Sequence, residues 1–129
     1  MMKGVFDIGR VHERPSFSPP HHAHTTNWKL IDESAGARKI ALWYSEMGQE
    51  GQAEPHVHDE MEQIFIILEG EGFFRIGNEE VSVKKGNVVF IPSGETHQMA
   101  ATGDKTFKYL LVWGPPPQSS NPWEKQRSK

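Results

Sequence analysis

Three of the seven histidines in this chain stand at positions where their rings could share a metal ion. His56 and His58 are two apart in the segment EPHVHDEMEQ, so on an extended strand both rings project from one face. Pro55 ahead of them favours extended backbone, and Val57 between them points the other way. His97 follows the turn Pro92-Ser93-Gly94, at the start of an apolar stretch. Neutral imidazole is the commonest nitrogen ligand for zinc, iron, nickel, copper and manganese-type ions. A pair at i,i+2 plus a third ring from another strand makes one triangular face of a metal site. Gln63 or Glu62 could add a fourth group. Cysteine is absent, so thiolate ligation, disulfides and thiol nucleophiles are excluded. If the rings must be neutral to bind, metal affinity should fall below about pH 6.

Such residues need a scaffold of strands, because no segment carries a convincing helical period. Short runs rich in β-branched and aromatic residues recur, with turn signals between them. They cover Trp28–Asp32, Arg38–Ser45, Gln63–Glu69, Gly72–Ile76, Glu80–Val83, Asn87–Ile91, His97–Ala101 and Phe107–Trp113. Gly77-Asn78 suits a two-residue hairpin loop, since glycine accepts the positive φ of the primed turns. Short strands at this spacing indicate an all-β sandwich or barrel. In Gln63–Leu68 both faces are largely apolar, so the strand should be covered on both sides. A homodimer contact would provide that cover, and so would a folded-back arm formed by residues 1–27.

That arm holds Pro15, Pro19, Pro20 and the cluster His21, His22, His24. It reads as irregular with short extended pieces such as Val5–Ile8. Residues 28–113 form the barrel. Residues 114–129 form a Pro-rich tail with a polar end, expected to be mobile. The 129 residues suffice for one domain. Fourteen basic residues against seventeen acidic ones give a net charge of −3, which argues against a nucleic-acid footprint. The apolar run Ile64–Leu68 is far short of the ~20 residues a membrane helix needs. With no secretory signal visible in MMKGVFDIGR, a soluble, cytoplasmic protein is expected.

The two histidine segments together resemble the cupin superfamily. Its first motif, G-x5-H-x-H-x3or4-E-x6-G, is matched by Gly51-QAEP-His56-Val57-His58-DEME-Gln63-IFIILE-Gly70. Its second, G-x5-P-x-G-x2-H-x3-N, is matched by Gly86-NVVFI-Pro92-Ser93-Gly94-ET-His97-QMA-Ala101. The resemblance implies a single-domain double-stranded β-helix, an antiparallel jelly-roll barrel, around one divalent Fe, Mn, Ni, Zn or Cu ion per chain. There are three departures. Gly51 is one residue closer to His56 than the pattern asks, and Ala101 replaces the closing Asn. Gln63 falls at the acidic position when counted back from Gly70. The resemblance therefore implies the ligand set His56, His58, Gln63 and His97, with Glu62 as the rival at the shorter spacing. Strand parity with Phe65 and Ile67 favours Gln63.

The choice matters chemically. Three imidazoles and an amide leave a divalent charge uncompensated, which favours anionic or enolisable substrates and Lewis-acid chemistry. Two open cis positions would then serve catalysis. Glu62, in the acidic turn with Asp59 and Glu60, is a candidate general base. Arg75 is a candidate grip for a substrate carboxylate, although its neighbours Phe74 and Ile76 favour an outward orientation. Trp43, Phe65, Met99 and Trp113 should line the barrel. His21, His22 and His24 suit a solvated or pocket-rim role. Cupins host many chemistries, and the reading is a metalloenzyme acting on a small keto-acid or sugar-derived substrate. Isomerase-like, lyase-like and dioxygenase reactions all fit. The alternative is a non-catalytic cupin that binds or senses a small molecule.

Overall fold

The structure, a computed structural model, describes residues 5–115. Alternation of apolar and polar residues makes more than half of them strand. The strands are β1 (His22–Ile31), β2 (Ala41–His56), β3 (Glu62–Glu69), β4 (Glu71–Ile76), β5 (Glu79–Lys84), β6 (Val88–Ile91), β7 (His97–Ala101) and β8 (Phe107–Gly114). Helical backbone among the described residues is confined to 3-10 turns at Ile8–Glu13 and Glu33–Ala35. Asp7 and Asp32 cap their first turns by accepting from Gly9 and Ser34 backbone N–H groups.

All pairings are antiparallel, in the order β5-β4-β7-β2-β8-β3-β6, with β1 added to β2. The sheet curls on itself into the expected barrel. One face of each strand points to the lumen. Gln63, Phe65 and Ile67 do so from β3, His97, Met99 and Ala101 from β7, and Phe107, Tyr109, Leu111 and Trp113 from β8. Trp43 and Trp113, each 1% exposed, pack with ring centroids 5.2 Å apart. Truncating either to alanine should cost roughly 3–5 kcal/mol. The Gly77-Asn78 hairpin forms as expected, with Ile76 opposite Glu79.

Three elements differ from the expectations. The first strand begins at His22, so part of the N-terminal arm is sheet, and a 3-10 turn at Ile8–Glu13 overlaps the extended piece expected over Val5–Ile8 only at Ile8. The second strand runs on to His56, well past Ser45. Its polar stretch from Glu46 to Glu54 has little intrinsic strand preference. Pairing with β1 on one side, and with β8 then β7 on the other, makes it strand. Third, the outer face of β3 is only partly covered. Val11, Trp28, Leu30 and Tyr44 form a second buried cluster against which Leu68 and Leu110 pack, so the N-terminal segment provides that cover. Farther along the same side Ile64, Val88 and Phe90 are exposed. Of the Pro-rich tail, residues 116–129, including Trp123, lie outside the described residues.

Candidate metal centre

The site begins with a kink. Between its pairing partners for β1 the second strand jumps from Met47 to Gln52, and Glu50 adopts φ 61°. A Cβ on Gly51 would lie 2.8 Å from the Gly48 carbonyl and against the Met47 side chain, so only glycine fits this bend. Beyond it, β2 leaves β8 and pairs with β7, which sets His56 directly opposite His97. His58 lies in the loop after β2. The expected i,i+2 pair on one strand is thereby corrected: His56 ends the strand and a turn brings His58 round. That loop is pinned by the Gly94 N–H, which donates to the His58 carbonyl at 2.8 Å. Gly94 itself has φ +81°.

The three rings converge. One nitrogen from each of His56, His58 and His97 lies within 4.8 Å of the other two. Ring centroids are 4.2 Å apart for His56 and His97, 4.9 Å for His56 and His58, and 5.4 Å for His58 and His97. Two of the rings are oriented from behind. The Nδ1–H of His56 donates to the Glu54 carbonyl at 2.7 Å, and that of His97 to the Glu95 carbonyl at 3.0 Å. A carbonyl can only accept, so each neutral ring carries its lone pair on Nε2. This is the arrangement by which backbone carbonyls orient metal-binding imidazoles.

Electrostatics reinforce the neutral state. Burial, aided by repulsion from His97, pushes His56 down to about 2 and His58 down to about 3. Burial also lowers His97. His56 and His58 are thus held deprotonated well below pH 6, and His97 is shifted in the same direction. Protons compete for them less than ordinary imidazoles would suggest, which moves the expected loss of metal to lower pH.

Gln63 is the fourth polar group. It is 2% exposed, and its Oε1 has no hydrogen-bond partner among the described residues. His97 Nε2 is in the same condition. Each buried polar atom left without a partner costs about 1–3 kcal/mol, a large fraction of the ~5–15 kcal/mol that keeps a domain folded. Two such acceptors aimed into one cavity are donors waiting for a cation. The cavity is lined by His22, Asn27, Trp43, Ser45, His56, Gln63, Phe65, His97, Met99, Tyr109, Leu111 and Trp113, and its volume is about 20 Å³. That is the room of one ion or one water molecule. Imidazole nitrogen and amide oxygen suit a first-row divalent ion, so the residues fit such an ion by chemistry, size and tautomer.

Glu62 and Arg75 do not line this cavity. Glu62 is exposed one residue before Gln63, on the opposite face of β3. Arg75 is exposed on β4, opposite Glu80 and Gln98. Strand alternation places both outside, the orientation that parity already favoured, so neither stands at this cavity in the candidate role of base or carboxylate grip. Trp43, Phe65, Met99 and Trp113 do line it. The sequence reading missed three polar residues at the lumen wall. Ser45 donates to Asn27 Oδ1 at 2.6 Å, beside Tyr109, and all three are buried. Asn27 lay in the arm and Ser45 at a presumed strand end, so neither carried a signal. His22 also lines the cavity, in keeping with the pocket-rim half of the role expected for it rather than the solvated half.

A sequence model of the cupin domain matches residues 43–113. Among curated relatives, the oxalate-binding protein of Thermotoga maritima is 39% identical over 57 residues, covering 44% of this chain and 47% of that protein. The chain thus spans about half the length of the curated relatives it matches. A solved Thermotoga maritima structure, described as a predicted oxalate decarboxylase, superposes with a TM-score of 0.75 at 25% identity. It covers 83% of this chain and 97% of its own. The polyketide cyclase RemF of Streptomyces resistomycificus superposes with a TM-score of 0.73 at 28% identity, covering 98% of this chain and 94% of its own.

Proposed function

Since the chain belongs to the cupin family, we propose that it is a mononuclear metalloprotein acting on a small, anionic, oxygen-rich substrate by redox-neutral Lewis-acid chemistry. The observation that carries this is the convergence of three imidazoles, two of which, His56 and His97, line a buried, ion-sized cavity together with Gln63. His56, His58 and His97 would hold the ion, with Gln63 Oε1 as a fourth donor. A bound divalent ion supplies charge that polarises a carbonyl or stabilises an enolate. A shell of neutral ligands leaves that charge uncompensated, which selects an anionic substrate such as an α-keto acid, a dicarboxylate or a sugar acid. The names of the Thermotoga relatives, which speak of oxalate, point to the same ligand class.

The chain's own groups would bind and orient the substrate. The indole N–H of Trp113 is 1% exposed and has no acceptor among the described residues. It can only donate, and it would donate to a substrate oxygen. Phe65, Met99 and Leu111 exclude water around it, which strengthens every polar contact inside. No carboxylate lines the cavity, which also favours a second reading, a sensor that binds such an anion without turning it over.

The test is metal content followed by a substrate panel. Tag-free protein should hold about one first-row ion per chain, and His97→Ala should hold none. Turnover of a keto acid, dicarboxylate or sugar acid without oxygen uptake supports the enzyme. Tight binding without turnover supports the sensor, and a metal-free wild type overturns both.

A further inference from the structure

The N-terminal segment contributes a histidine that copies the construction of the ligands. The Nδ1–H of His22 donates to the Pro20 carbonyl at 2.8 Å. That is the same two-residue step by which His56 uses Glu54 and His97 uses Glu95. A neutral His22 ring therefore also carries its lone pair on Nε2. Its centroid lies 5.9 Å from that of His56, not far beyond the 5.4 Å separating His58 and His97. With nitrogens ~2.0–2.1 Å from an ion, imidazole centroids sit roughly 3.2 Å out. Cis pairs are then about 4.5 Å apart and trans pairs about 6.4 Å. The His22–His56 separation falls inside that window.

The backbone around His22 has been bent to put it there. His21 and His24 have φ 61° and 52°, a region that residues other than glycine occupy at a cost of roughly 1–3 kcal/mol each. The register with β2 shifts between Ala23 and Thr25, leaving His24 as an extra residue. On the far side, the Glu54 N–H donates to the His21 carbonyl at 2.9 Å, and His22 pairs with Ala53. The stretches leading into His22 and His56 are thus tied together.

Resting on the metal site proposed above, we propose that His22 is an additional imidazole ligand of the same ion, delivered by β1 from outside the two histidine motifs. His22 is not among the three residues whose nitrogens lie within 4.8 Å of one another, so ligation requires a small inward shift of the β1 start. Together with Gln63, the set would leave one open position on a six-coordinate ion and restrict a substrate to one donor atom. Metal binding would also order the start of β1.

Cobalt(II) titration of the full chain tests this, followed by d–d absorption and competition with a chromophoric chelator. His22→Ala should weaken cobalt binding at least tenfold and change the d–d spectrum. His24→Asn, at an exposed position where Asn tolerates positive φ, should match wild type. If His22→Ala fails to fold, His22→Gln, which keeps most of the bulk, is read in the same way. Wild-type affinity and spectrum in the His22 variant, alongside loss of cobalt in His97→Ala, overturn this inference and leave the metal site standing. Unaltered cobalt binding in His97→Ala overturns both.

Discussion

Two histidine neighbourhoods sit on opposite sides of the same wall, and they are built from similar parts. On the outer side His12 meets Trp28 edge-on at 5.0 Å. In the lumen His58 meets Trp113 edge-on at 5.1 Å. The difference lies in the polar atoms. Outside, Glu46 accepts from the Tyr44 hydroxyl at 2.7 Å and pairs with His12 Nε2 at 2.7 Å. The carboxylate satisfies both groups, and His12 remains 60% exposed. Inside, His97 Nε2 and Gln63 Oε1 are buried acceptors with no hydrogen-bond donor among the described residues. Histidine against an aromatic ring is therefore not what marks the chemical site. Lone pairs kept dry and unmatched, around a cavity the size of an ion, are.

The sharpest way to break this contrast is to remove one ring from each side. His97→Ala should reduce metal affinity by more than a hundredfold, as loss of a ligand does more than the 10–100-fold typical of losing a residue behind one. His12→Ala should leave metal content unchanged and cost no more than about 1 kcal/mol, because what it loses is one hydrogen-bonding contact with Glu46 from a largely exposed ring. Metal analysis and chemical denaturation of both variants read the two effects.

Acid separates the neighbourhoods next. His56 and His58 titrate in the folded protein near 2 and 3, below the ~6.5 of an unfolded chain. The unfolded state therefore takes up protons first as pH falls. Their contribution is complete above pH 6.5 and declines from there towards pH 3, by up to about 1.4 kcal/mol per pH unit for each ring. Urea midpoints of metal-free wild type should drop across that window, and the drop should be shallower in His58→Gln. Parallel curves for the two proteins would contradict the assigned burial.

How much of this could be read from the chain alone depends on what each feature rests on. The lumen strands were legible because alternation is local: Gln63, Phe65 and Ile67 face inward simply by parity. The preference for Gln63 over Glu62 as the inward residue came from the same rule. His58 was misplaced because a turn, not strand geometry, brings it to His56. His22 could be given only a solvated or pocket-rim role, because the bulge at His24 breaks the parity on which any face assignment depends. Trp28 carried no signal either, since its role in the outer cluster requires the 3-10 turn at Ile8–Glu13 to fold back and bring Val11 against it. Long-range pairing, in each of these cases, supplies what local pattern does not.

Two further substitutions, each removing one polar donor, sharpen the comparison. Trp113→Phe deletes the inward N–H and should weaken binding of an oxygen-rich anion roughly five- to tenfold, about 1 kcal/mol or slightly more. Metal content should be unaffected, and anion titration by calorimetry separates the two. Tyr44→Phe deletes the outward hydroxyl. It should cost about 0.5–1 kcal/mol of stability, with no change in metal or anion binding.

The claim on which all of this depends is that rings from β2, the loop after it and β7 share one cation. X-ray absorption on the metal-loaded protein addresses it most directly. The account predicts a nitrogen and oxygen shell near ~2.0–2.1 Å, with the outer-shell scattering of at least three imidazoles. A shell of oxygen alone, or one with a single imidazole, would contradict it.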